Sequence, residues 1–373
     1  MSVATPALVL PVGFRVSVAP MMDWTDRHCR SFHRLLSRRA WLYTEMVTAQ
    51  AIAHGDLDHL LGRGEEGERV VLQLGGNDPQ LLALAAREGQ AYGYDEINLN
   101  CGCPSDRVRE GAFGACLMAE PERVADCVAA MQAVVQVPVT VKHRIGIDRR
   151  EDYEFVHRFV DVVAAAGCRR FVVHARNAWL DGLDPKQNRE IPPLRYEVVH
   201  RLAQDFPHCA FELNGGLQDL AHGLAAVCPV GASGPDAAAG AEAGRPATRL
   251  VGAMYGRRAY HDPWLLAGVD DWLARHAAEA PVTDAAQPLT RAAVVEALVG
   301  YLERSAAHGV EVRHLARHVL GLYLGQPAAR LWRRMLSESR ALSRNDPGLL
   351  REACAAVEAE AARVAASALS GRS

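Results

Sequence analysis

The chain reads as an α/β protein: a (β/α)8 TIM barrel followed by a small all-helical C-terminal domain. Three observations carry that reading. Eight short strand-like runs each give way to a helical pattern; this marks parallel βαβ units, and eight is the number that closes such a barrel. The 373 residues are too many for one ordinary core and suit a barrel of about 250 residues plus a smaller unit. Beyond about Asp271 the strand pattern stops and only helical patterns remain.

In order, the runs are Arg15–Met22, Trp41–Thr48, Arg69–Gly76, Glu96–Gly102, Val137–Gly146, Arg170–Arg176, Ala210–Gly216 and Leu250–Arg257. Between them, "DPQLLALAAREGQAYGY" opens on Asp78 and Pro79, and "EPERVADCVAAMQAVV" opens on Glu120 and Pro121. Both are helix-start signals ahead of apolar residues at helical spacing. The stretch 229–248 is different: fifteen of its twenty residues are Gly, Ala, Pro or Ser, a linker composition that predicts a flexible surface insertion without chemistry. "APVTDAAQPLT" (Ala280–Thr290) reads as a connector. The expected domains are a barrel over 12–275 and a helical domain over 289–373.

Apolar content of 49% and charged content of 23% belong to a soluble globular protein. A formal charge of −3 announces no nucleic-acid partner by itself. Locally the balance differs: Glu311 to Arg344 holds seven arginines and two acids. There "RLWRRM" places Arg330, Arg333 and Arg334 near one helix face beside Trp332, either a solvated face or a phosphate-contacting one. Nine irregularly spaced cysteines with no C-x-x-C argue for a reducing compartment. With no basic n-region at the start and no apolar run of about 18 residues, a cytoplasmic protein without membrane association is expected. "HCRSFH" (His28–His33) and "HLARH" (His314–His318) are poor metal sites, the second lacking the Glu of H-E-x-x-H. No metal is expected, and the chain is expected to be a monomer.

Polar or reactive residues gather at the C-terminal ends of the runs: Met21 and Met22, Gln73, Asn100 and Cys103, Lys142 and Arg144, His174 and Arg176, Asn214, and Arg257. That end is the active-site face of such barrels. "NGG" (Asn214–Gly216) after the seventh run and "YGR" (Tyr255–Arg257) after the eighth suit a phosphate, because glycines let backbone N–H groups close on it and Arg257 adds charge. With Lys142 and His174 on neighbouring tips, a phosphorylated cofactor such as FMN is suggested, Lys142 offering a cation to the flavin N1–O2 edge. Gln73 can donate and accept at a pyrimidine edge. Structural roles compete: a barrel-interior ion pair for Lys142, a hydrogen-bonded structural imidazole for His174, core packing for Met21 and Met22, and loop solvation for Lys186 and Arg189.

"APMMDWTDRHCRSFHRLLS", "LQLGGNDP", "YDEINLNCGCPSDRV", "GACLMAEPE", "VPVTVKHRIGID", "HARNAWLDGLDPKQNREIPPLRYE" and "RHVLGLYLGQPAARLWRRMLSE" together resemble the tRNA-dihydrouridine synthases, and among them the A-type bacterial subfamily. The resemblance spans nearly the whole chain. It implies an FMN-bearing barrel with a helical tRNA-binding domain, and NADPH-dependent reduction of a D-loop uridine at positions 20 and 20a of tRNA. Carried over residue by residue, it implies FMN contacts at Pro20, Met21, Met22, Gln73, Lys142, His174, Asn214, Gly215, Gly216, Gly256 and Arg257. It implies that Asn100 touches the substrate uridine, and that Lys186, Arg189, Arg330 and Arg333 contact tRNA.

Hydride delivery to C6 of uracil leaves carbanion-like charge at C5, which needs a proton from a positioned acid. A free thiol, with a reference pKa of about 8.5, is protonated at neutral pH and can donate. The family's acid is the cysteine of "GCPS", Cys103 here. Two rivals stand near it. Cys101, two residues back, would share a face with Cys103 in an extended segment, and Cys116 lies in "GACLM". The chain departs from the family in its insertion before the eighth run, and in "VGAMYGR", where Val251 replaces an acid. The alternatives are a barrel flavin oxidoreductase acting on a small enone or pyrimidine, and a non-catalytic tRNA-binding protein.

Overall fold

The computed structural model describes residues 10–11, 13–105, 111–150, 152–228, 250–276 and 288–370. Eight parallel strands pair in chain order and β8 returns to β1, closing a barrel. They are β1 (Arg15–Val18), β2 (Trp41–Thr48), β3 (Val70–Gly75), β4 (Glu96–Cys101), β5 (Val139–Arg144), β6 (Arg170–His174), β7 (Ala210–Asn214) and β8 (Leu250–Tyr255). Each predicted run therefore holds a strand, most of them ending earlier than predicted. β1 stops at Val18, ahead of Pro20, which has no N–H to give a ladder. β7 stops at Asn214, because Gly215 turns to a φ of +119°. Met21 and Met22 thus lie on the loop just beyond β1, and Gly215 and Gly216 on the loop beyond β7, whereas Asn214 ends β7 itself. The 229–248 insertion lies outside the described residues, as does most of the 280–290 connector.

Around the barrel run α1 (Arg27–Leu36), α2 (Ala49–His54), α3 (Leu57–Leu61), α4 (Pro79–Ala91), α5 (Pro121–Gln132), α6 (Tyr153–Ala165), α7 (Tyr196–Asp205), α8 (Leu220–Val227), α9 (Arg257–His261) and α10 (Val269–His276). Asp78 caps α4 through the N–H groups of Gln80 and Leu81, with Pro79 in the first turn, as the start signal predicts. Glu120 occupies the cap position of α5 but makes no side-chain cap bond, so there Pro121 is the effective signal. Outward strand residues such as Ile97, Leu99 and Cys101 are fully buried in the main core.

The N-terminal end of the barrel is filled with charge. Arg15 meets Glu96 at 2.6 Å and Arg170 meets Glu212 at 2.9 Å, both carboxylates fully buried. Ser17 Oγ donates to Glu212 at 2.9 Å, and the Arg15 guanidinium lies 3.6 Å over the Trp41 ring. Paired and hydrogen-bonded in this way, the buried charges are tolerated.

From Arg291 on, the described chain is helical: α11 (Arg291–Ser305), α12 (Val312–Val319), α13 (Ala329–Met335), α14 (Ser339–Leu342) and α15 (Gly348–Ser370). Trp332 is fully buried and its Nε1 donates to Val319 O at 2.9 Å. The Trp is therefore packing, while Arg330, Arg333 and Arg334 stay exposed around it. Asp26 ties this region to the barrel. One oxygen caps α1 at the His28 and Cys29 N–H groups; the other takes Arg317 at 2.6 Å and His318 at 2.9 Å. Those contacts hold its carboxyl well below the usual range despite burial, which acts the other way.

Candidate active site

The strand tips enclose a cavity of about 730 Å³. Of the residues singled out from the sequence, Pro20, Met21, Met22, Gln73, Asn100, Cys103, Lys142, His174, Arg189, Asn214, Gly215, Gly216, Gly256 and Arg257 all line it. Lys186 is exposed on the 176–193 loop and does not line it, and Arg330 and Arg333 lie on α13, away from its lining. Among the described residues no carboxylate lines the cavity, whereas Lys142, Arg144, Arg189, Arg257 and Arg258 do. Such a wall favours an anionic ligand.

β4 delivers the thiol. Its alternation points Asn98 and Asn100 inward and Cys101 outward into the helical layer. The strand then ends in a turn: Asn100 Oδ1 accepts from the N–H groups of Gly102 and Cys103, both at 3.0 Å. This turn corrects the expectation that Cys101 and Cys103 share a face. Cys101 is fully buried and burial pushes its thiol well up, while Cys103 opens to the cavity. Cys116 is half-buried, donates to Phe113 O at 3.0 Å, is pushed up chiefly by burial and does not line the cavity. Arg144 holds the loop from the other side, its Nε donating to Gly102 O at 3.1 Å and its Nη1 to the carbonyls of Asn177 and Asn188. As a strand-tip cation it was visible in the sequence; its grip on two loops was not.

Lys142 Nζ donates to Asn214 Oδ1 at 3.1 Å, and Asn214 Nδ2 donates to Met254 O at 2.8 Å. Burial pushes Lys142 down to about 7; neighbouring Arg144 adds to the shift and the Cys103 side chain opposes it. His174 is held well below its usual range by burial and then by the surrounding Arg144, Lys142, Arg176 and Arg189, so it is a neutral imidazole at neutral pH. Arg257 meets Glu190 at 2.6 Å, and that contact lowers the Glu190 carboxyl. Asn100 Nδ2 donates to Gln73 Oε1 at 2.8 Å, which leaves one N–H of each amide for a ligand.

The backbone beside His174 fits a bound phosphate. Gly215 and Gly216 have φ of +119° and +69°. A Cβ at Gly215 would stand 2.7 Å from His174 Cδ2, and one at Gly216 2.5 Å from Leu194 Cδ1. Only glycine gives this concave run of backbone next to Arg257. Trp24, Met46, Ser105, Arg258 and His261 also line the cavity without having been singled out. Trp24 stacks on Tyr260 with ring centroids 4.3 Å apart.

Comparison with known proteins agrees with this geometry. The family model "Dihydrouridine synthase (Dus)" matches residues 17–361. A tRNA-dihydrouridine(20/20a) synthase of Synechocystis sp. is 50% identical over 345 residues, 91% of this chain and 93% of that protein. The protein of the same name from Salmonella typhimurium is 49% identical over 350 residues, 94% of this chain and 96% of that one. Its counterpart from Vibrio parahaemolyticus is 49% identical over 347 residues, covering 93% and 98%.

Proposed function

The chain belongs to the dihydrouridine synthase family, and from that premise we propose that it reduces D-loop uridines at positions 20 and 20a of tRNA to dihydrouridine, with Cys103 as the proton donor. The observation that carries the reading is the placement of the Cys103 thiol on the same cation-lined cavity as Gln73, Lys142 and the Gly215–Gly216 cradle.

The residues fit FMN. Gly215, Gly216, Gly256 and Arg257 would hold its phosphate, Lys142 and Gln73 its pyrimidine edge, and Pro20 to Met22 one flank of the ring. NADPH is the reductant of this reading, and a bound FMN would supply hydride to C6 of the uracil. The remaining chemistry belongs to the chain. Asn100 offers its spare N–H to the base. Cys103 gives its proton to C5, and the thiolate is reprotonated from solvent, so one hydride and one proton saturate the double bond. The target base must leave its stack to enter the cavity. Lys186 and Arg189 on the 176–193 loop, and Arg330 and Arg333 on α13, serve its backbone. A cytoplasmic location belongs to the same reading, supported by a tRNA substrate and by nine free cysteines that suit a reducing compartment.

The test is to map dihydrouridine by position in unmodified tRNA treated with the purified protein, FMN and NADPH. Cys103→Ala is expected to keep its flavin and its NADPH oxidation while uridine reduction falls about a hundredfold or more. Full uridine reduction by that variant would refute the acid assignment.

A further inference from the structure

A row of buried polar side chains runs down the inside of the barrel beneath the cavity. Gln73, Asn98 and Thr140 share one register row on β3, β4 and β5; each is no more than 1% exposed. Thr140 Oγ1 donates to Glu96 Oε1 at 2.7 Å, Asn98 Nδ2 to Thr140 Oγ1 at 2.9 Å, Gln73 Nε2 to Asn98 Oδ1 at 2.8 Å, and Asn100 Nδ2 to Gln73 Oε1 at 2.8 Å. Neither Asn98 nor Thr140 lines the cavity.

The direction of this chain is not free. The Glu96 carboxylate, paired with Arg15 at 2.6 Å, can only accept. Thr140 has one hydrogen and spends it on Glu96, so toward Asn98 its oxygen must accept. Asn98 therefore turns Nδ2 to Thr140 and Oδ1 to Gln73. Gln73 must then turn Nε2 to Asn98 and Oε1 to Asn100. Asn100 answers with Nδ2, which leaves its Oδ1 for the N–H groups of Gly102 and Cys103. The upper end imposes the same order independently, because those two backbone groups can only donate. A carboxylate at the sealed end of the barrel and a backbone turn at its mouth thus agree on the orientation of three amides.

We infer that Asn98 and Thr140 are positioning residues: they carry the polarity of Glu96 up to Gln73 and Asn100, and through the Asn100 turn they aim the Cys103 thiol into the cavity. The inference rests on the functional reading above. Without Thr140 Oγ, the Asn98 amide loses its acceptor and can flip, Gln73 and Asn100 can follow, and Asn100 would present N–H groups to N–H groups. A buried network of this kind acts as a unit.

The test uses the full-length protein, as purified and FMN-loaded. Alkylation of Cys103 by iodoacetamide is followed by peptide mass spectrometry, beside single-turnover flavin reduction by NADPH and reoxidation by tRNA. Thr140→Val is expected to change the Cys103 alkylation rate by at least about threefold and to slow reoxidation by tRNA about tenfold, a larger effect than on flavin reduction, which a turned Gln73 also touches. Thr140→Ser, which keeps the hydroxyl, is expected to restore both to within about twofold. Asn98→Ala decides the matter should Thr140→Val not fold. A folded Thr140→Val or Asn98→Ala variant with parental alkylation of Cys103 overturns the inference, even if its turnover is slow. Altered alkylation in variants of a parent that binds no FMN would uphold the positioning and refute the cofactor reading instead.

Discussion

Lys142 is an ammonium held at about 7 by burial, against a usual value of about 10.4, with an amide oxygen as its hydrogen-bond partner. Between those two values the unfolded chain carries the proton and the folded chain does not. Folding stability therefore rises with pH across that window, and the residue's cost is fully present below pH 7. In FMN-free protein, the stability of the parent relative to Lys142→Met is expected to climb by about 1 kcal/mol per pH unit between pH 7.5 and 9.5. Denaturant melts of the two proteins at several pH values measure it. FMN would return a hydrogen-bond acceptor, the electron-rich N1–O2 edge, to the ammonium, so its binding at pH 8 is expected to take up a proton in the parent and none in Lys142→Met. Binding enthalpies that do not depend on the buffer would contradict that role for Lys142.

At the level of elements, the turn after β7 is as consequential as the strand. Gly215→Ala combines a φ of +119° with a Cβ 2.7 Å from the His174 ring. We expect a loss of about 1–3 kcal/mol in stability and no measurable FMN binding; parental affinity in a flavin titration would show that this backbone does not cradle the phosphate. The turn also illustrates what the sequence could tell. Glycine pairs, strand-tip cations and the period-two spacing of Glu96, Asn98 and Asn100 were readable in one dimension, and with them the barrel and most of the cavity wall. Register across strands was not. Nothing in one chain says that Gln73 and Thr140 stand level with Asn98, nor that Arg15 and Glu96 meet at the barrel base. Alternation alone puts Cys103 on the face of Cys101; a side-chain acceptor on Asn100, two and three residues from the groups it binds, ends that alternation. Trp332 was ambiguous for a different reason: an indole beside three arginines suits stacking and packing alike until the neighbouring helices are known.

Over the whole molecule, the helical unit separates its work between core and surface. Among the described residues Arg330, Arg333, Arg334 and Arg340 make no ion pair, whereas Arg313, Arg317 and Arg344 each have a carboxylate partner. Arg330→Ala and Arg333→Ala are expected to weaken tRNA binding and to lower the salt dependence of that binding by about one unit each, with flavin content and NADPH oxidation unchanged. Salt-dependence curves that match the parent would remove those two residues from the RNA contact. Trp332→Ala should instead cost about 3–5 kcal/mol and loosen the unit. The charge cluster around Arg15, Glu96 and Glu212 closes one end of the barrel, so everything that reaches the interior must come and go through the opposite doorway. On the proposed reading a nicotinamide and a nucleobase would share that doorway, so each visitor would leave before the next arrives. Initial rates taken against both reactants should then fall on parallel double-reciprocal lines, and intersecting lines would mean that the protein has a second way in.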